Sequence, residues 1–406
     1  MERGIEELYK KFAMNILVAA YKFGTEEEIG AHLGTYHYFI EKMRRTVKRG
    51  HRVVVVAPWL SLMRRGSTGF DGIEIVRYWP PLAAQWWLRP LSPIVRALYI
   101  RQTQRMVLKT VTDIRADVVY VWQARETGHA VAQIKDKLPC PFIFRQITAW
   151  KWHFERGLRD VRTHKAYARA IYRLADKVVF LSEAAVREAE EFGFDRSKAE
   201  VLGVAIDEDL FKPMNVSAEE VGFKRAPTIL FIGRVNFAEK GIGVLLEAMP
   251  PVKEKIPDVN LAIIGGGEME RVQGLVKTLG IERYVQALGK KPFHELPKFI
   301  NASEVFVTPS LWMEAFGQVT IEAMACGVPV VTSDAGASPE INIDGETGIV
   351  VPTGDIKALA QAIVRLLSDQ ALREKMGEAA RKRVERQYTY EVMVGKFLNI
   401  VESTKV

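Results

Sequence analysis

The sequence predicts an α/β protein built as two doubly wound parallel-sheet domains that face each other across a cleft. Short β-branched runs alternate with helical patterns twice along the chain, which is the arithmetic of βαβ units repeated in two domains. The 406 residues exceed what one core organises comfortably, so two domains of about 200 residues are expected. A hydrophobic content of 48% with 26% charged residues suits an ordinary globular protein and excludes a disordered or fibrous one.

In the first half "NILVAA", "HRVVVVAP", "IEIVRY", "DVVYVW", "PFIFRQ", "KVVFLS" and "AEVLGV" read as strands. In the second, "TILFIGR", "NLAIIGG", "YVQALG", "EVFVTPS", "VPVVTS" and "GIVVPT" do. Such continuous apolar runs suit a parallel sheet covered by helices on both faces. After Pro352 only helical patterns remain, "DIKALAQAIVRLLSD", "QALREKMGEAARKRVERQ" and "TYEVMVGKFLNIVEST". The expected organisation is an N-terminal extension (1–13), a first domain (14–206), a polar, Pro-bounded linker (207–227), a second domain (228–387) and a C-terminal helix (388–406).

Charge is unevenly placed. Residues 1–205 carry +12 (34 Lys/Arg, 22 Asp/Glu) and the remainder −4 (23 and 27). Seven of the eight tryptophans also lie in the first half, so the halves are expected to meet different partners. The two cysteines, Cys140 and Cys326, form no metal or redox spacing, which favours a reducing, cytoplasmic compartment. The apolar run Ile16–Ala20 is too short for a signal-peptide core and reads as a strand. No window reaches the roughly 18 apolar residues of a membrane span.

In doubly wound sheets, ligands bind beyond the carboxyl ends of the strands. Four strand ends of the second half carry suitable residues. "FIGRVNFAEKG" puts Arg234 and Lys240 at one, "IIGGGE" puts Gly265 and Gly266 at the next, "LGKKP" closes a third, and "TPSLWMEAFGQVTIEAMACGVPVV" enters a helix near Phe316. The free amides of Phe316, Gly317 and Gln318 would make an anion site, with Gly317 allowing a phosphate close to the backbone. Glu322 lies five residues on, roughly 7–8 Å along the axis, a fit for a ribose diol gripped by a carboxylate. Glu314, before the helix, would meet a sugar on the other side of the phosphates, and Arg234 and Lys240 would neutralise a diphosphate.

Taken together, "GR…EKG", "IIGGGE", "TPS…EAFG…IEAMACGVPVV" and "GETGIVVPTGD" closely resemble the retaining glycosyltransferases of family 4, over nearly all of residues 227–390. The resemblance implies the GT-B fold, with two facing Rossmann-like domains. It further implies that Glu314 and Glu322 bind the donor sugar and ribose and that Arg234 and Lys240 neutralise the leaving group. The catalytic set is then Arg234, Lys240 and Glu314. The donor-binding set adds Gly30, Gly265, Gly266, Phe316, Gly317, Gln318 and Glu322. It also implies that the last helix crosses back onto the first domain. No metal and no cofactor are expected, since cations and helix amides would meet the diphosphate.

The first half resembles the same family more weakly. In "NILVAAYKF…GAHLGTYHYFIEKMRRTVKRGHRVVVVAP", Gly30 matches the loop glycine beside donor and acceptor, and Gly34 is a second candidate. Three departures matter. The usual double glycine is only Ile29-Gly30, the hinge reads "VAID" from Val204 to Asp207, and Ile147 stands where the family often has a histidine near the reaction centre. His129 and His153 are the candidates to replace it.

From Ile75 to Thr112 no residue is acidic, while Arg77, Arg89, Arg96, Arg101, Arg105 and Lys109 are basic, with Trp79, Trp86 and Trp87 at the front. This mixture suits an anionic membrane surface met through residues 77–109. The expected activity is sugar transfer from a nucleoside-diphosphate sugar to a lipid or lipid-linked glycan at the cytoplasmic membrane face. A soluble sugar or glucan acceptor is the first alternative. A non-catalytic nucleotide-sugar-binding subunit is the second. A dinucleotide dehydrogenase is disfavoured because "GGGE" lacks the full glycine spacing and a partner acid. No nucleic-acid motif accompanies the basic half, so no nucleic-acid partner is expected.

Overall fold

The structure, a computed structural model, describes residues 13–30, 33–81, 92–122, 125–148, 150, 161–224 and 227–405. All thirteen runs expected as strands are strands. In the first half these are β1 (Asn15–Ala20), β2 (Arg52–Pro58), β4 (Ile73–Tyr78), β5 (Val118–Trp122), β6 (Phe142–Arg145), β7 (Lys177–Phe180) and β8 (Ala199–Val201). A two-residue strand, β3 (Gly69–Phe70), is the addition; it pairs antiparallel to β4 at the sheet edge and is too short to leave a periodic signal. The sheet order is β3-β4-β2-β1-β5-β6-β7-β8, with every other pairing parallel. The second half forms a parallel sheet of β9 (Thr228–Ile232), β10 (Asn260–Ile264), β11 (Val285–Gly289), β12 (Val305–Thr308), β13 (Val330–Ser333) and β14 (Gly348–Val351), ordered β11-β10-β9-β12-β13-β14.

The chain divides into two units, residues 1–203 with 393–406, and residues 204–392. In the first, β1 and β5 are buried along nearly their whole length, and Trp122 stacks on Phe39 at 3.8 Å. Residues 393–406 join this unit: Phe397 meets the Tyr120 ring edge-on at 5.0 Å, and Lys405 pairs with Asp117 at 2.8 Å. In the second, Ile229, Phe231, Leu261, Ile263, Val305 and Val307 of the sheet pack with Leu245, Leu246, Met249, Leu359 and Ile363 of covering helices. Each such side chain contributes about 1.5–3 kcal/mol by leaving water. Among the described residues no helix is long and apolar enough to cross a membrane.

The stretch expected as a linker is anchored in the second unit. Phe211 is fully buried and meets Phe293 at 5.4 Å, Phe223 meets Phe299 at 6.0 Å, and the Met214 amide donates to the Asn301 side chain at 2.7 Å. Two aromatic anchors in a polar stretch carry no periodicity, so the sequence reads as linker while the chain is held.

Candidate active site

Three expected features converge beyond the carboxyl ends of β9 and β12. A cavity of about 280 Å3 there is lined by Gly233, Arg234, Lys240, Ser310, Glu314 and the turn from Gly317 to Thr320. Gly317 has φ +101°, a left-handed conformation that glycine adopts at little cost, and it caps the helix Gln318–Ala325. The residues of its first turn line the cavity; the Thr320 amide bonds to the Gly317 carbonyl at 3.1 Å, which leaves the amides of Gln318 and Val319 without a backbone partner among the described residues.

Neither expected cation is free. Arg234 Nη2 donates to Glu239 Oε2 at 2.6 Å, and Lys240 Nζ is ion-paired with Glu314 Oε1, which also accepts from Ser310 Oγ at 2.7 Å. Glu239 is buried and receives Asn236 Nδ2 at 3.0 Å on its other oxygen. Its carbonyl accepts from the amides of Leu311 and Trp312 at 2.8 and 3.3 Å, tying the loop after β9 to the loop after β12. Ser333 of β13 donates to the Ser310 carbonyl at 2.6 Å and holds that loop from the other side. The two carboxylates therefore balance the two cations and set their orientation in advance. The sequence reading did not single out Glu239 or Ser310, although both lie inside the motifs "EKG" and "TPS".

Glu322 departs from its expected ionisation. It is 2% exposed and accepts from Gln318 Nε2 at 2.9 Å, and burial pushes its carboxyl up to about 8 against that single bond. At neutral pH it holds a proton. Burial raises its pKa because no cation or backbone amide among the described residues compensates its loss of water.

Gly265 and Gly266 are absent from the cavity lining, as is Phe316, which is buried edge-on to Tyr388 at 5.7 Å. Gly265 has a packing reason instead: a Cβ there would lie 1.8 Å from the Gly233 carbonyl oxygen. Gly265→Ala is expected to cost about 3 kcal/mol or more, read as a lowered urea midpoint for the second unit. An unchanged midpoint would show that this crossing can relax.

In the first unit Gly30 ends the short helix Glu26–Ile29 and is exposed. Gly34 lies in the first turn of the helix Leu33–Lys48. Ile147 is buried, and His129 stacks on Tyr167 at 3.9 Å with burial lowering its pKa, a packed rather than a solvent-facing imidazole. His153 lies outside the described residues, as do Trp86, Trp87 and Arg89. Arg77 does not belong to a basic surface. It is buried, donates from Nε to the Ser67 carbonyl at 2.9 Å and from Nη1 to the Pro58 carbonyl at 3.2 Å, and lies 3.9 Å from Glu28. On β4, next to the sheet edge, it turns inward and bonds two backbone carbonyls. Exposed on the helix Ser92–Ile114 are Ile94, Leu98, Arg101, Arg105 and Lys109, beside Pro93, Ala97, Thr112 and one acidic side chain, Asp113, near its C-terminal end, with Trp79 half-exposed ahead of it.

Comparison with known proteins agrees with this architecture. The family description "Glycosyltransferase Family 4" matches residues 34–210, and "Glycosyl transferases group 1" matches residues 216–383. The chain is 37% identical over 176 residues to the phosphatidyl-myo-inositol mannosyltransferase of Mycobacterium leprae, covering 43% of this chain and 46% of that protein. It is 33% identical over 249 residues to a GDP-mannose-dependent alpha-(1-6)-phosphatidylinositol monomannoside mannosyltransferase of Mycolicibacterium smegmatis, covering 58% and 65%. The chain thus spans about half to just under two thirds of the length of these relatives. Among solved structures, the sucrose-phosphate synthase of Thermosynechococcus elongatus superposes with a TM-score of 0.77 at 20% identity, covering 96% of this chain and 98% of that one. Two parallel-sheet units, family matches on both halves and this superposition lead to one conclusion: the chain belongs to the family 4 glycosyltransferases and has the GT-B fold.

Proposed function

We propose that the protein is a retaining glycosyltransferase that moves a sugar from a nucleoside-diphosphate sugar to a lipid headgroup at an anionic membrane surface. The observation that carries the reading is the cavity where Arg234, Lys240, Glu314 and the first turn of the 318–325 helix converge. Arg234, Lys240 and the helix amides would meet the diphosphate, so the site supplies positive charge from the chain itself, without a metal. Glu314, already bonded to Lys240 and Ser310, would exchange those contacts for sugar hydroxyls, and Glu322 would hold the ribose diol. In a front-face displacement the acceptor oxygen bonds to the anomeric carbon on the side from which the diphosphate departs. The bond from that carbon to the phosphate oxygen breaks, and the acceptor proton passes to the departing phosphate. The protein's part is to position both substrates and stabilise the leaving group.

The relatives named for phosphatidylinositol and GDP-mannose support a lipid acceptor and make GDP-mannose the first donor to try. A mass-spectrometric screen of UDP-, GDP- and ADP-sugars against a membrane lipid extract tests the reading. A new glycolipid whose anomeric linkage matches the donor's is expected. Donor turnover with no product, or inverted linkage, would defeat it. A non-catalytic nucleotide-sugar-binding subunit is favoured by one observation, the buried Ile147 in the usual histidine position. Any transfer by the purified protein excludes it.

The exposed side of the 92–114 helix supports the membrane part, with Ile94 and Leu98 followed by Arg101, Arg105 and Lys109. Each basic side chain near an anionic surface contributes about 1 kcal/mol. Changing Arg101, Arg105 and Lys109 together to Gln should therefore weaken flotation with phosphatidylserine vesicles by roughly 10²-fold. Equal flotation of the variant and the parent would remove this face from the membrane.

A further inference from the structure

The strand order of the first unit reverses between β1 and β5. The chain runs outward from β1 through β2 and β4, then returns to place β5 on the other side of β1. The crevice beyond the paired ends Ala20 and Trp122 is therefore the topological switch point, where open α/β sheets bind ligands. Tyr21 and Lys22 leave β1 there, and Arg125 begins the helix Arg125–Ala132 just after β5.

Arg125 differs from the other buried arginines of this unit. Arg77 and Arg145 each leave one nitrogen without a partner, but their remaining nitrogens are bonded to backbone carbonyls. Arg125 is half-buried, its Nη1 is shielded from solvent, and it makes no hydrogen bond among the described residues. Burial lowers its pKa, Glu126 opposes that, and Arg96 adds to it. Glu126 lies 4.0 Å from Arg96, so this neighbouring carboxylate is shared with a second guanidinium. A desolvated guanidinium without acceptors costs free energy until an anion supplies them, and its planar fork matches phosphate oxygens in pairs. Thr127, two residues on, is fully buried with its Oγ1 2.7 Å from Tyr99 Oη, so these two hydroxyls satisfy each other rather than the guanidinium.

We propose that Arg125, supported by Arg96, binds the phosphate of the acceptor at the switch point of the first unit. The proposal rests on the lipid-headgroup reading above for the acceptor, and its test does not require sugar transfer. The full chain is titrated calorimetrically with myo-inositol 1-phosphate and with myo-inositol, as wild type, Arg125→Gln and Arg125→Lys. The wild type should bind the phosphate ester more tightly than the free polyol. Arg125→Gln should weaken the ester roughly 10- to 100-fold and leave the polyol unchanged, with Arg125→Lys between. Phosphatidylinositol in phosphatidylcholine vesicles is the second arm. Dependence on Arg125 in both arms identifies a lipid headgroup, and dependence in the soluble arm alone identifies a free phosphate ester; either supports the subsite. Equal affinity of Arg125→Gln and wild type for the ester overturns it, as does failure of the wild type to bind the ester. GDP binding in the same samples reports on the fold and on the donor site separately, so a loss there with ester binding intact would count against the donor reading alone.

Discussion

Lys240→Ala is expected to lower the rate of sugar transfer roughly 10²–10³-fold, about 3–4 kcal/mol of transition-state stabilisation, with Arg234→Ala in the same range. The argument is electrostatic. As the bond from sugar to diphosphate breaks, negative charge collects on the departing phosphate, and only groups already oriented toward it act without reorganising. Glu239 holds the Arg234 guanidinium at 2.6 Å, and Glu314 holds the Lys240 ammonium. The folded state should tolerate the loss, because both cations are partly exposed and surface pairs contribute about 0–1 kcal/mol. The measurement is kcat at saturating donor beside a urea unfolding curve. A normal kcat in either variant would remove that residue from the reaction. Glu239→Gln is a useful companion, since it weakens the hold on Arg234 without touching the cation.

Raising the pH from 6 to 8 should tighten donor binding through Glu322 and at the same time weaken the free protein. The carboxyl is pushed up from 4.5 to about 8 by burial, so the free protein keeps its proton at neutral pH. An unfolded chain releases that proton near 4.5, so the folded state binds the extra proton between the two values. Stability from this group is complete below the lower value and is lost as pH climbs to the upper one, by up to about 5 kcal/mol. Glu322→Gln cannot ionise and should gain on the parent over that interval, most at pH 8. Binding carries the opposite sign. If the carboxylate grips the ribose diol, nucleotide binding at pH 6–7 releases about one proton. Calorimetry in buffers of different ionisation enthalpy counts that proton. A flat pH profile, with no proton released, would mean that Glu322 meets the donor uncharged or not at all.

These two expectations divide along the line between local and tertiary information. Every long strand was legible because runs such as "HRVVVVAP" and "TILFIGR" carry their burial pattern within themselves. Arg234, Lys240, Glu314 and Gly317 were legible because strand ends and helix starts are local features, and a parallel sheet brings such ends together. Gly265 was legible as a glycine but not in its role, since its reason is a carbonyl 32 residues earlier in the chain, at Gly233.

What the sequence settled by itself is the two-domain α/β plan, the family, and which loops of the second half meet at one end of a sheet. Only the tertiary structure decided that Arg77 turns inward to the Ser67 and Pro58 carbonyls, that Glu239 pairs with Arg234, and that Glu322 is buried with Gln318 as its hydrogen-bond partner. The physical reason is that periodicity is written in neighbouring residues, whereas charge state and pairing depend on what is desolvated beside what. That depends on packing between segments far apart in the chain.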